Sequence, residues 1–478
     1  MPLDLHSLMP ALPEMVLLAA ASAILVLDLF LEDRQRVVTY VLSLVALVAA
    51  IAAALMVRGD GTQIILAGSF IRDPLADALK VAMYVIGLLA FVYARGYLES
   101  RALFKGEYYV LGLFAILGMS VMISAGSFLT AYLGLELLAL SLYALVAFDR
   151  DSGSGPEAAM KYFVLGALAS GLLLYGISMV YGATGALDFA TVNKMLRSVD
   201  AERTVLVFGL VFVVIGIAFK FGAVPFHMWV PDVYQGAPTP VTLFVGSAPK
   251  IAAFALAMRM LVDGLGPLQA DWQGMLLILA VLSMALGNVV AIAQTNIKRM
   301  LAYSTIAHVG FIFLGLLSGT TDGRAAAMFY AIVYALMAAG GFGVLILLSR
   351  HGFDAENIDD LRGLNKRSSW YAAMMMLILF SMAGVPPTAG FFAKLFVLKA
   401  VIDVDMVLLA GVAVFFSIIG AFYYLRVIKV MYFDEPVETA PLQAPGEAKW
   451  VLSLNGLSIL YLGIFPASLL SACLAAVA

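Results

Sequence analysis

Four ionisable residues stand alone in long apolar stretches of this chain, and their types suit the handling of a proton. Lys220 follows the run Val205 to Phe219 (VLVFGLVFVVIGIAF) and begins Lys220-Phe-Gly-Ala-Val-Pro225-Phe-His227. Glu136 is the only charged residue between Glu107 and Asp149. Lys250 lies in Gly-Ser-Ala-Pro-Lys250-Ile-Ala-Ala-Phe, and Lys394 in Gly390-Phe-Phe-Ala-Lys394-Leu-Phe-Val-Leu. A charge at bilayer centre costs about 2.5–3.5 kcal/mol on insertion scales, so a residue of this kind is a functional-site candidate by default. Burial disfavours a lysine's ammonium form and a nearby carboxylate favours it, so moving the carboxylate moves a proton. A Glu136–Lys220 pair that closes and opens would load and unload a proton near neutral pH. The static alternative is that the lysines snorkel to the interface or form ion pairs that hold helices in register. Snorkelling does not rescue Glu136, and two of the lysines accompany helix breaks.

Those breaks come from proline. Pro225 follows Lys220, and Pro386 and Pro387 precede Lys394, so each helix loses backbone hydrogen bonds and frees carbonyls. Non-helical backbone at membrane depth is tolerated where it is buried in protein or lines a water-filled cavity, and water beside a lysine is a proton path.

The elements that position these residues are spanning helices. Of 478 residues, 63% are hydrophobic and 12% charged, with a mean hydropathy of +1.01, which marks an integral membrane protein. A span needs roughly 20 apolar residues. Fourteen stretches qualify, beginning near Met15, Val37, Pro74, Tyr108, Leu129, Tyr162, Val205, Thr242, Met275, Leu301, Ala325, Tyr371, Met406 and Val451. They lack barrel-like alternation, so the expected fold is all-α, a polytopic bundle of about fourteen transmembrane helices. The first stretch leads into Asp28 and Glu32 without a basic n-region and reads as an uncleaved helix. Placing the N-terminus outside leaves 16 loop Lys and Arg residues inside against 8 outside, which favours both termini on the outer face.

Other chemistries find little support. Cys473 is the only cysteine, which excludes four-thiolate iron–sulfur or zinc ligation within this chain. His6, His227, His308 and His351 include no i, i+4 pair, so a haem or metal site of this chain alone is not expected. Gly340-Gly341-Phe342-Gly343 lies inside an apolar run without the strand-loop-helix setting of a phosphate cradle, and reads as helix packing.

Gly216-x-x-x-Lys220 and Gly390-x-x-x-Lys394 share a spacing, each in a proline-interrupted segment, which points to two inverted repeats. The longer motifs around them resemble a known family, the antiporter-like membrane chains of proton-pumping NADH:quinone oxidoreductase, respiratory complex I. Phe219 to Thr242, with Pro225, Trp229, Pro231, Asp232, Gly236, Pro238 and Pro240, looks like the family's central motif. Asn296-Ile-Lys298-Arg299-Met-Leu-Ala-Tyr303-Ser304-Thr-Ile-Ala-His308-Val-Gly310 is similar to its second, and Gly384-Val-Pro386-Pro387-Thr-Ala-Gly390-Phe-Phe-Ala-Lys394 to its third. Within the family, the absence of a long C-terminal extension argues against the largest paralogue, and lysine at 394 against the middle one.

The resemblance implies Glu136 and Lys220 as the carboxylate–lysine pair, Lys250 as central relay and Lys394 as terminal proton site. It implies a seventh helix broken at Pro225 and a twelfth at Pro386 and Pro387. Expected units are 1–107 (helices 1–3), 108–263 (first five-helix repeat), 264–433 (second, inverted) and 434–478 (helix 14). His308 is a candidate extension of the relay through water, weighed against a packing role. His227 and Asp232 are expected to shape the break, and Lys80 to pair at the interface beside Asp73 and Asp77.

Moving a charge against the membrane potential costs about 2.3 kcal/mol per 100 mV, and no energy-supplying group is visible here. The resemblance supplies one: no cofactor in this chain, FMN and iron–sulfur clusters in peripheral subunits, neighbouring membrane-arm subunits and lipids as partners, no nucleic acid, and quinone reduction elsewhere as the drive. The expected location is a bacterial inner membrane. The alternatives are a subunit of a multisubunit Na+/H+ antiporter and an inert membrane scaffold.

Overall fold

The computed structural model of the protein describes residues 5–59, 61–198, 203–436 and 446–478. Helices dominate because each satisfies its own backbone where no water is available. The first set is α1 (Leu12–Asp28), α2 (Arg36–Met56) and α3 (Pro74–Ser100), with a hairpin of β1 (Gln63–Ile65) and β2 (Phe70–Arg72) between α2 and α3. The sequence reading contained no strand; here Ile64 pairs with Ile71 in an antiparallel ladder of three residues.

Next come α4 (Gly106–Ile123), α5 (Phe128–Val146), α6 (Gly155–Thr184), the short α7 (Phe189–Ser198) and α8 (Arg203–Phe221). They are followed by α9 (Trp229–Gly236), α10 (Thr239–Gly246) and α11 (Ala248–Ala257). The second half holds α12 (Gln269–Ile292), α13 (Ile297–Leu317), α14 (Thr321–Leu348), the single turn α15 (Leu364–Arg367), α16 (Ser369–Ala383), α17 (Ala389–Ile402) and α18 (Val407–Phe433). The chain closes with α19 (Gly446–Ile464) and α20 (Pro466–Val477).

Among the described residues, 12 helices are long and apolar enough to cross a membrane, and α19 with α20, bent by 82°, makes a thirteenth. The count differs from fourteen because the stretch from Tyr371 is two short helices, α16 and α17, parted at 384–388. The span Thr239–Gly264 is wholly buried, and α13 and α14 almost wholly. Outward-facing Leu168 on α6 and Ile418 on α18 stay exposed, as suits surfaces that meet lipid or other chains. Gly343 lets α14 approach α3, since an added Cβ would stand 2.6 Å from the Tyr93 ring, which is the packing role read from the glycine cluster.

Three interruptions set the site. α8 stops at Phe221, where Gly222 takes φ +79° and Pro225 follows in a cis peptide with Val224. α16 stops at Ala383, where Gly384 takes φ +87° before cis Pro386–Pro387. Both conformations suit glycine, which has no Cβ to clash. The third was not anticipated: α10 ends at Gly246 and α11 restarts at Ala248 with Pro249 in its first turn, one residue before Lys250. Pro249 is accommodated there because first-turn N–H groups have no partner within the helix. Beyond α11 the chain widens into a π-helical turn, Met258–Gly264.

Candidate functional site

A helix that stops inside a protein leaves its last carbonyls without N–H partners. At the end of α8 two side chains supply donors. Lys250 Nζ donates to Phe221 O at 2.8 Å, and Trp229 Nε1 donates to Phe219 O at 3.0 Å. A cation at a helix C-terminus also meets the negative end of its dipole. Lys250 Nζ lies 5.5 Å from the centre of the Trp229 ring, and the lysine is 1% exposed. Ser283 Oγ accepts from Val224 N at 2.9 Å, which fixes the loop that follows.

The second break is capped in the same way from its own far side. Lys394 on α17 donates to Ala383 O at 2.9 Å and to Ser417 Oγ at 2.9 Å, with its Nζ 5.1 Å from the Phe311 ring centre. In both places a buried ammonium rests on a carbonyl that a proline-containing break released.

Lys220, on the last turn of α8, faces α5 and α6. It shares a cavity of about 20 Å³ with Glu136 and Ser170, enough for about one water. Ser170 Oγ donates to Glu136 Oε1 and accepts from Tyr132 OH at 3.1 Å. Glu136 and Lys220 form no ion pair within 4.0 Å among the described residues, so the pair stands open.

His308 and Lys394 line a common cavity of about 10 Å³ together with Asn288 and Tyr424. His308 Nδ1 lies 2.7 Å from Tyr330 OH, and Nε2 lies 3.1 Å from Tyr424 OH. Tyr424 OH in turn meets Ser304 Oγ at 2.5 Å. Beside this cluster the polar groups on α13 and α14 continue, with Tyr334 OH donating to Thr305 Oγ1 at 2.6 Å and the His308 and Tyr334 rings 5.1 Å apart.

The structure therefore brings Glu136 together with Lys220, and His308 with Lys394, while Lys250 sits on the break that ends the Lys220 helix. Ser170, Thr305, Ser417, Tyr330, Tyr334 and Tyr424 were missed by a reading that looked for charge. The signal available was a hydroxyl inside an apolar helix, where an unmatched polar group is costly.

His227 and Asp232 belong to the segment after the first break. Asp232 pairs with Arg299 at 2.8 Å and Lys161 at 3.0 Å. Partial burial raises the Asp232 pKa, but bonds from Arg299 and Lys161 outweigh it and hold the carboxyl below its usual range. The His227 imidazole bonds back to the Pro225 backbone across the break. Lys298 Nζ donates to Ala237 O at 2.8 Å, so the second motif caps the end of α9 in the first.

One expectation is corrected. Lys80 does not pair with Asp73 or Asp77 at an interface: it is 1% exposed and bonds Glu14 on α1 at 2.6 Å. Asp77 is held by Arg72 at 2.6 Å, and Asp73 by Arg259 at 2.7 Å. The arginines, each a planar fork of donors, take the two aspartates nearer the helix start, which leaves the single-point ammonium to the carboxylate across the bundle. No group of three or more His, Cys, Asp or Glu suited to a metal occurs among the described residues.

Residues 125–420 match the family model described as NADH:quinone oxidoreductase/Mrp antiporter, TM. The chain is 61% identical over 472 residues to NADH-quinone oxidoreductase subunit N of Thioalkalivibrio sulfidiphilus, covering 98% of each. A chain of respiratory complex I from Thermus thermophilus, 31% identical, superposes with a TM-score of 0.84 over 97% of this chain and 100% of that one. A chain of the Mrp complex from Dietzia sp. shares the fold at 21% identity, with a TM-score of 0.85 over 99% of this chain and 97% of that one. Matching motifs and full-length similarity agree: the chain belongs to the NADH:quinone oxidoreductase/Mrp antiporter transmembrane family, in its subunit N branch.

Proposed function

We propose that this chain is a proton-translocating membrane subunit of NADH:quinone oxidoreductase, complex I, in which Glu136, Lys220, Lys250 and Lys394 carry the proton. The observation that supports it best is the paired device in the interior, two broken helices each with a buried lysine on its freed carbonyl. A lysine held by neutral carbonyl and hydroxyl oxygens has a place for its ammonium but no counter-charge fixed against it, so its proton is not locked in an ion pair.

Closing the gap between Glu136 and Lys220 favours the charged lysine; opening it favours release toward Lys250. Each lysine that gains a proton disfavours the ammonium of the next, which pushes the charge along the line. His308, joined to Tyr330 and Tyr424 and sharing a cavity with Lys394, continues the path by hydroxyl and water. The drive is quinone reduction elsewhere in the complex. Flavin and iron–sulfur clusters belong to the peripheral arm, and this chain's residues hold the proton.

The same reading places the chain in a bacterial inner membrane with both termini outside. It divides the chain into helices 1–3 (1–107), two inverted five-helix repeats (108–263 and 264–433) and a final helix (434–478). Pro225 and Pro386–Pro387 mark matching breaks in the two repeats. Neighbouring membrane-arm subunits and lipids meet the exposed apolar faces.

The test is Lys220→Ala in the assembled complex reconstituted in vesicles. NADH oxidation by an artificial acceptor should persist while quinone-coupled proton uptake falls by at least about tenfold. Unchanged uptake and turnover would favour an inert scaffold. Sodium-dependent transport without co-purifying redox chains would favour the antiporter.

A further inference from the structure

The ionisable groups of the central line fall into two halves. The charge that acts on Lys250 is Lys220, and the charge that acts on His308 is Lys394. One short helix, α9, meets both halves. At its first residue the Lys250 ammonium lies 5.5 Å from the Trp229 ring centre. Five residues on, about 7.5 Å along the axis at 1.5 Å per residue, stands Tyr234, wholly buried.

Tyr234 is placed by its backbone and by a glycine. Thr242 Oγ1 of α10 donates to Tyr234 O at 2.9 Å, which fixes this turn of α9. The phenol lies against Gly246, the last residue of α10 and four before Lys250, where an added Cβ would stand 3.3 Å from the phenol oxygen. On its other side the phenol turns toward Thr305 of α13 and the Tyr334 phenol of α14, without a direct bond to either.

Thr305 is able to receive it. Its Oγ1 donates to Leu301 O at 2.9 Å and accepts from Tyr334 OH at 2.6 Å. A hydroxyl oxygen has two acceptor lone pairs, so with Tyr334 as its one donor among the described residues Thr305 has a site for a second. The Tyr334 ring lies 5.1 Å from that of His308, which shares its cavity with Lys394.

We infer that Tyr234 is a further proton-carrying residue of this chain, the group that passes the proton from the Lys250 half to the His308 half. This rests on the proton-translocating reading above. In the step an N–H bond of the Lys250 ammonium breaks, and the proton, carried by water, forms an O–H bond at the Tyr234 oxygen. The phenol closes onto Thr305 Oγ1 and gives up its own hydrogen there, and Thr305 hands on its hydrogen in the same way. One proton enters and one leaves. The phenol is neutral before and after, and Lys250 is left as an amine that Lys220 can load again.

The decisive variant is Tyr234→Phe in the whole complex. It removes one oxygen and keeps the ring against Phe342, whose centre lies 5.8 Å away. The expected result is an assembled complex with native melting temperature and native NADH oxidation by an artificial acceptor, but with coupled proton uptake lowered by about tenfold or more. A tyrosine kept for packing alone predicts native uptake. Native uptake in Tyr234→Phe, with Lys220→Ala still impaired, would overturn this inference alone. Native uptake in both would overturn the relay as well. Should Tyr234→Phe fail to assemble, Thr305 supplies a second comparison. Thr305→Ser keeps the hydroxyl and should keep uptake, whereas Thr305→Val, of similar shape, should lower it by about tenfold or more. Equal uptake in these two variants would overturn the proposal.

Discussion

Each buried lysine in the central line is defined by what its ammonium touches. Lys394 is held by Ala383 O and Ser417 Oγ, so Lys394→Met leaves a buried carbonyl unpaired. Such a group costs about 1–3 kcal/mol, and a lower melting temperature of the purified complex should accompany lost proton uptake. Ser417→Ala removes only the second contact, so uptake should fall while the break stays capped. At Glu136, Ser170 is the hydroxyl that orients the carboxylate. A hydrogen bond to a charged group is worth about 1.5–3 kcal/mol. Ser170→Ala should therefore slow coupled turnover by about tenfold or more and shift its pH profile, with assembly unchanged. A Ser170→Ala profile that matches the native one would remove Ser170 from the site.

Among the elements, the breaks depend on backbone that only certain residues supply. Gly222 sits at φ +79°, and an added Cβ would also meet Val230 at 2.5 Å. Gly222→Ala should destabilise the complex by about 1–3 kcal/mol, read as a lower melting temperature. The start of α3 offers a pH test. Burial raises the Asp73 pKa, but Arg259 and the Ala76 N–H outweigh it, so the carboxyl lies below its ordinary 3.8. A depressed folded value means that the stabilisation is complete above the unfolded pKa and is lost as pH falls through the folded one. Melting temperature measured from pH 7 downward should hold until about 4 and then fall. Asp73→Asn should lie below the native curve at neutral pH and converge with it in acid.

For the molecule as a whole, the polar line runs through the most deeply buried column, the Thr239–Gly264 span with α13 and α14, while the flanking helices present apolar outer faces. A tagged chain purified in mild detergent should bring with it flavin and iron–sulfur absorbance and inhibitor-sensitive NADH:quinone activity. Recovery with other transport subunits and no redox activity would move the assignment to the antiporter branch of the family. The exposed Leu168 and Ile418 faces predict that the isolated chain associates or aggregates where the assembled complex does not.

The membrane class, the helical fold and the residues worth testing were legible in the sequence, because charge and proline inside apolar runs are costly wherever the helices end up. Glu136, Lys220, Lys250, Lys394, Pro225 and Pro386–Pro387 all announce themselves by that cost. Only the tertiary structure decided which groups meet. Lys250 caps the helix that carries Lys220, Lys394 rests on Ala383, and Lys80 reaches back to Glu14 at the start of α1. None of these partners is set by local spacing, since each depends on how distant helices pack. The hydroxyls escaped notice for a related reason. Serine and threonine in a helix bond their own backbone as readily as a neighbour, and only packing shows that Ser170 meets Glu136, Thr305 meets Tyr334 and Tyr424 meets His308.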